Sequence, residues 1–437
     1  MQLKWIGLSV VLIQMFVLSV RPGMTEDKRS LGDCIDTALK NHPSMRIAAS
    51  GVEAGKGREQ QAVSHYLPQV TASTGYTEER QDGGAFGDTV TKTYHTSLSL
   101  NQTIYDFGRT GSACDSARLN TQSAELDAER VKQDVILNVK QAYFDLLKAG
   151  RLVHLARKTR EQAENHLKQA QAFYRAGSKP IFDVTRAEVE VNSARLDLIN
   201  AGNRKRIGCM ALNNSMGVDP EGPIEIEDSL ETWPAVPSLE KVKAEALANR
   251  PDLRKAGSDI AAAEARVRTE KADYLPVLAL NGSYNWVDGN TEMGILEGDI
   301  GNSWNAGIAL SVPLYEGGLT NGRVNEAKSD LQLIEAQQDM LRQTILIEIC
   351  QYYADMESAA VRIKVMESSL QKALENFAIA QGRYEEGVGP YIDVTDAQVS
   401  SVKAETDHVQ SLYDFQLAAA KLLHAMGKGE QLQGTLE

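Results

Sequence analysis

Val135–Tyr174 reads VILNVKQAYFDLLKAGRLVHLARKTREQAENHLKQAQAFY, and Ile345–Tyr384 reads ILIEICQYYADMESAAVRIKVMESSLQKALENFAIAQGRY. In the first stretch apolar residues step by four and three: Val135, Val139, Ala142, Leu146, Ala149, Val153, Ala156, then Ala163, Leu167, Ala170 and Tyr174, with Arg160 the one break. The second repeats the pattern at Ile345, Ile349, Tyr352, Met356, Ala359, Ile363, Met366, Leu370, Ala373, Phe377, Ala380 and Tyr384. Alternating four-three spacing is the heptad of a left-handed coiled coil. Nearly six heptads in each copy exceed the three or four that make the pattern specific. Two long helices of matching length predict a tall helical structure.

Working outward, the duplication extends over most of the chain. Ser30–Tyr76 aligns with Ser238–Tyr284 at an offset of 208, through Ala38/Ala246, Asn41/Asn249, Pro43/Pro251 and Pro68/Pro276. Leu98–Gly217 aligns with Ile308–Gly427 at an offset of 210, through Tyr105/Tyr315, Gly108/Gly318, Gly177/Gly387, Pro180/Pro390 and Asp183/Asp393. Proline marks element ends: none lies between Pro68 and Pro180, or between Pro313 and Pro390. Those gaps fit uninterrupted helices, which proline would break. The expected organisation is a first repeat over 30–217, a proline-rich linker over 218–237, a second repeat over 238–427 and a tail over 428–437.

Between helix and helix the period changes to two. Val70, Ala72, Thr74 and Tyr76 alternate with polar residues, as do Tyr94, Thr96, Leu98 and Leu100 on the return. In the second copy Leu278, Leu280, Tyr284 and Trp286 oppose Asn281, Ser283 and Asn285, and Trp304, Ala306, Ile308, Leu310 and Val312 alternate with small residues. Each repeat is predicted to carry a hairpin, about 69–104 and 277–312, with Gly/Asp-rich tips at 81–88 and 288–301. Strands of roughly ten residues with one apolar face, ending in aromatics, fit a transmembrane β-barrel. Four strands cannot close a barrel, so the barrel must be shared between chains.

The chain has 437 residues, 42% hydrophobic and 24% charged, with a net charge of −13. Phosphate binding wants a basic face, so that acidity argues against nucleic acid and no such partner is expected. Lys4 followed by the apolar run Trp5–Val20 reads as a signal peptide over residues 1–20. Cys34, Cys114, Cys209 and Cys350 form no C-x-x-C pair and read as small hydrophobes. Asp33 before it, and its distance from the apolar run, speak against Cys34 as a lipid-attachment site.

Several motifs recur in order. Asn41-His-Pro and Asn249-Arg-Pro open the repeats, and Tyr-Leu-Pro precedes each hairpin. Tyr105-Asp-Phe-Gly-Arg and Pro313-Leu-Tyr-Glu-Gly-Gly close the strands, and Gly-x-x-Pro-x-x-Asp-Val-Thr follows each long helix. Over residues 30–427 this set resembles the TolC family of outer-membrane efflux proteins. The resemblance implies a mainly α fold with membrane β. Three identical chains would supply a twelve-stranded barrel in outer-membrane lipid, continued by a coiled-coil α-barrel through the periplasm. It also implies two partners, a periplasmic adaptor and an inner-membrane RND or ABC transporter, serving efflux or type I secretion. The duct itself is passive. Heptads alone would permit a poreless coiled-coil scaffold of the cell envelope, but the alternating hairpins and the signal peptide argue against it.

No chemistry competes with transport. The chain has no H-E-x-x-H, phosphate loop or G-x-S-x-G elbow, and no enzyme activity, cofactor or metal is expected. Asp393 and Asp396 share a helix face after the Gly387–Pro390 bend. Helix-cap stabilisation explains such a pair by itself. The resemblance implies instead that they line the pore constriction, and that Tyr384 and Asp183 close the tip. It places the adaptor at the bends Gly177–Pro180 and Gly387–Pro390. The family's gate arginine, four residues before the first pore aspartate, is replaced here by Gly389.

Overall fold

The computed structural model describes residues 28–82, 89–228, 238–292 and 301–430. The signal segment, both hairpin tips at 83–88 and 293–300, linker residues 229–237 and tail residues 431–437 lie outside the described residues. Chain order is α1 (Leu31–Asn41), α2 (Pro43–Ser64), β1 (Gln69–Gln81), β2 (Thr89–Tyr105), α3 (Arg109–Arg175), α4 (Ile181–Ser215), then α5 (Leu239–Asn249), α6 (Pro251–Ala272), β3 (Val277–Glu292), β4 (Ser303–Ser311), α7 (Leu319–Glu385) and α8 (Tyr391–Ala425). The second six elements repeat the first six in kind and order.

Helices α3 and α7 are each 67 residues long, about 100 Å at 1.5 Å per residue. The heptad positions do what their spacing requires. Every residue of the Ile345–Tyr384 series is buried or half-buried, and Val135, Val139, Leu146, Ala163 and Ala170 are buried in the first. Helix α4 lies along one half of α3 and α2 along the other, while α8 and α6 pack likewise on α7. Helices α6 and α8 also pack on α3, joining the two halves of the chain.

The Asn-x-Pro motifs separate α1 from α2 and α5 from α6. Pro43 and Pro251 stand at the first helical turn, preceded by His42 and Arg250 in extended conformation. A proline biases its predecessor out of the helical region, and its missing N–H costs nothing at a helix start. Gly217 and Gly427, which end α4 and α8, sit directly on these junctions. A Cβ at Gly217 would lie 2.7 Å from His42 Cα, and one at Gly427 would lie 2.9 Å from the Asn249 carbonyl carbon. Only glycine permits that approach. Around the first junction Leu31, Cys34, Ile35, Ala38, Val139, Tyr143, Phe144 and Leu212 form the largest core. Cys34 is fully buried there, and burial pushes its thiol up to about 11.

The described part of the proline-rich linker packs on this core rather than hanging free. Ile224 and Ile226 pack against it, and Arg29 pairs with Ile226 in a parallel bridge. The first tail residues are also held: Lys140 Nζ donates to the Gly429 carbonyl at 3.2 Å and Lys132 pairs with Glu430 at 2.8 Å.

The four strands form one antiparallel sheet in the order β1-β2-β3-β4. Its register aligns the apolar positions of all strands. Ala72 lies opposite Leu98, Leu98 opposite Tyr284, and Tyr284 opposite Trp304. The other face carries Ser73, Ser97 and Asn285 in a row, with Ser73 Oγ and Ser97 Oγ 2.6 Å apart. The Tyr76 and Tyr94 rings meet tilted, with centres 4.9 Å apart, where the apolar band ends, and the next pair on that face is Glu78 opposite Lys92. From Val70 to Tyr76 the band runs about 20 Å along the strand, of the order of the apolar belt of an outer-membrane barrel. Among the described residues nothing covers it: Val70 is 62% exposed, Ile308 68% and Trp304 76%. Among the described residues no helix is long and apolar enough to cross a membrane.

Candidate functional site at the helix tips

Both long helices end in the same hydrogen-bonded turn. After α3, Gly177 N–H donates to the Tyr174 carbonyl and Ser178 N–H to that of Phe173, both at 3.0 Å. After α7, Gly387 N–H donates to the Tyr384 carbonyl at 3.1 Å and Val388 N–H to that of Arg383 at 3.0 Å. This double closure needs a left-handed residue, which Gly177 (φ 72°) and Gly387 (φ 76°) supply. Pro180 and Pro390, extended at ψ 158° and 152°, then start α4 and α8. The Gly-x-x-Pro motif is thus a complete reversal of direction in four residues.

The two turns meet over a shared apolar cluster. Ala170 and Phe173 of α3, Val184 and Ala187 of α4, Phe377 and Tyr384 of α7, and Tyr391 and Val394 of α8 pack together. Tyr384 is its centre, 2% exposed, with its ring 5.8 Å from Phe173 and 5.3 Å from Tyr391. Lys179 Nζ stands 5.1 Å from the Tyr384 ring centre, within cation–π range, and 3.5 Å from the Gly389 carbonyl oxygen. A second bridge joins α8 to α4, where the Tyr391 hydroxyl donates to Glu190 Oε2 at 2.6 Å. Burial first, then that carboxylate, push the Tyr391 hydroxyl's pKa far up.

Of the residues singled out from sequence, Asp183 is buried in the first turn of α4. Burial, and secondarily the Asp183 charge, push the Tyr384 hydroxyl up to about 12. No hydrogen bond joins the two: the Tyr384 hydroxyl is buried without a partner among the described residues. Asp393 and Asp396 are exposed on one face of α8, opposite the packed Tyr391, Val394 and Ala397. The repeat counterparts Asp183 and Asp393 therefore occupy different environments, one covered and one open. Gly389 is buried, and a Cβ there would lie 3.2 Å from Arg383 Cβ, so the turn has little room for a side chain.

Three contributors escaped the sequence reading. Lys179 and Glu190 sit in charged, polar surroundings with no periodicity to mark them, and their partners Gly389 and Tyr391 are 210 and 201 residues away. His166 belongs to no motif, yet it is 8% exposed, beside the rings of Phe377 and Tyr391, with Nδ1 unpartnered among the described residues. Burial holds its imidazole below the usual range, opposed by Glu190 and Glu385. Comparing the two repeats residue by residue flags Lys179, because its counterpart is a glycine.

Among the described residues, no group of three or more His, Cys, Asp or Glu is placed to hold a metal ion. The sequence model of the outer membrane efflux protein family matches residues 34–218 and again 242–428. The chain is 26% identical to Protein CyaE of Bordetella pertussis, over 94% of this chain and 86% of that protein. It is 24% identical to the toluene efflux pump outer membrane protein TtgF of Pseudomonas putida, over 91% and 83% respectively. The outer membrane protein VceC of Vibrio cholerae superposes with a TM-score of 0.78 at 21% identity, covering 92% of this chain and 97% of that one. With VceC the chain shares its fold, a duplicated set of long helices carrying a four-stranded sheet. The chain belongs to the outer membrane efflux protein family and is an efflux channel of the outer membrane.

Proposed function

We propose that three copies of the chain join into one passive duct, with the sheets closing a twelve-stranded barrel and the helices a tunnel into the periplasm. The observation that carries this reading is the sheet: among the described residues one continuous apolar face lies uncovered, and both edge strands lack a neighbour. Exposed edges of that length are stable only when paired. In this reading a periplasmic adaptor meets the turns Gly177–Pro180 and Gly387–Pro390, and an inner-membrane transporter of RND or ABC type supplies the energy. The exposed Val388 and Phe182, at 71% and 64%, give those turns an apolar contact surface.

Asp393 and Asp396 would ring the periplasmic constriction with six carboxylates, a field that favours cations. Tyr384, Asp183 and the cluster around them would hold the tips together. The test is fractionation with a migration assay. The protein should enter the outer membrane and run as a trimer that heating converts to monomer. Val388→Asp should abolish export and leave the trimer intact. A soluble monomer, or normal export by the tip variant, would overturn the reading.

A further inference from the structure

The two halves of the sheet obey one arithmetic. Residues of β1 reappear in β3 at an offset of 208, and residues of β2 reappear in β4 at 210. Gln69 pairs with Asn101, and their counterparts Val277 and Ser311 pair with each other. Tyr76 pairs with Tyr94, and their counterparts Tyr284 and Trp304 pair likewise. The repeat therefore carries hydrogen-bond register as well as sequence.

The joint between the halves is β2 against β3, and its counterpart is β4 against β1 of a second copy. A closed barrel couples strand number, tilt and stagger, so a duplicated chain closes most evenly when like joints keep like registers. We infer that β4 pairs antiparallel with β1 of a neighbouring copy, with Ser311 opposite the partner's Ser73 and Leu310 opposite the partner's Thr74. The residues follow from Asn101 opposite Asn281 and Leu100 opposite Gly282, moved by the two offsets. Ile308 then lies beside the partner's Tyr76, just as Leu98 lies beside Tyr284. The register keeps apolar residues on the apolar face across the joint. A one-residue slip would invert one chain against the next.

An independent feature of the single chain agrees. Strand β2 runs on to Tyr105 because Gln102, Thr103 and Tyr105 pair with Leu280, Ala279 and Leu278. Strand β4 stops at Ser311, the counterpart of Asn101, and Leu314 and Tyr315 beyond it are 92% and 90% exposed. The missing strand end is the part whose counterpart is held by β3 alone. In the inferred joint Val312 faces the partner's Ala72 and Tyr315 the partner's Val70. The irregularity between Thr103 and Tyr105 would then fall beside Pro313, at a position where a strand tolerates a residue without an N–H.

The inference rests on the proposed three-chain duct, and its test separates the two. All four native cysteines are replaced by alanine in the full chain. Two double variants follow, Ser73→Cys with Ser311→Cys, and Thr74→Cys with Leu310→Cys, one for each face of the sheet. Under mild oxidation in outer membranes both should give covalent trimers that a reductant returns to monomer. Two shifted variants, Ala309→Cys with Ser73→Cys and Ala309→Cys with Thr77→Cys, should give at least tenfold less. Cross-linking that favours a shifted pair, or intact trimers in which no pair cross-links, overturns the register and leaves the assembly standing. Absence of any trimer overturns both.

Discussion

Lys179 Nζ lies 3.5 Å from the carbonyl oxygen of Gly389, its own repeat counterpart 210 residues further on, and 5.1 Å from the centre of the Tyr384 ring. One cation thus ties the turn after α3 to the turn after α7. A cation over an aromatic face contributes about 1 kcal/mol when partly exposed. Three chains opening as a unit would lose about 3 kcal/mol, roughly a hundredfold in the open fraction. Lys179→Met is expected to raise resting conductance in planar bilayers, and Lys179→Arg to restore it. Wild-type conductance in the Met variant would show that the apolar cluster alone holds the tip.

The exposed acids make a separate prediction. Asp393→Ala with Asp396→Ala should reduce cation selectivity and weaken block by multivalent cations, because a ring of like charge sets the local field. If these acids are only helix caps, the bend should lose about 1 kcal/mol of stability with selectivity unchanged. Single-channel reversal potentials in a salt gradient decide between the two.

Tyr384 is expected to act through packing and position. Its hydroxyl is buried without a partner among the described residues, so Tyr384→Phe should leave the thermal stability of the isolated chain fold within about 1 kcal/mol. In the assembled duct, Tyr384→Phe removes the hydroxyl proposed to close the tip against Asp183, and resting conductance should rise. A variant that conducts like wild type would remove the Tyr384–Asp183 pair from the closing contacts.

His166 makes tip stability depend on pH. Burial lowers its folded-state pKa below the unfolded value, which is about 6.5. The unfolded chain then takes up the proton first on acidification. Stability is intact above the unfolded pKa and falls as pH drops below it towards the folded value. Hydrogen exchange over residues 166–190 and 377–394 should speed up at about pH 5.5 relative to about pH 7.5 beyond the intrinsic rate change. His166→Phe, which suits the neighbouring Phe377 and Tyr391 rings, should flatten that difference.

The faces of the sheet can be read with a thiol probe. Ile308→Cys and Leu280→Cys should resist a membrane-impermeant thiol reagent in intact membranes, and Asn281→Cys and Ser283→Cys should label, with native cysteines removed. The opposite pattern would mean the sheet is inverted, because alternation fixes all side chains together.

The sequence alone determined whatever depends on local periodicity. A heptad held from Ile345 to Tyr384 permits only a long helix with one buried stripe, and alternation from Val70 to Tyr76 permits only a two-faced strand. Glycine with proline at Gly177–Pro180 and Gly387–Pro390 permits only a tight reversal, since each acts on its own backbone. The duplication made each reading twice as secure. Tertiary structure alone decided what depends on residues distant in the chain. The same motif left Asp183 covered and Asp393 open, because the two repeats pack against different neighbours. No spacing brings Lys179 to Gly389, Tyr391 to Glu190, or His166 between two rings. Those contacts exist because four helix ends converge on one apolar cluster. That convergence is set by helix lengths summed over the whole chain, and no local window contains it.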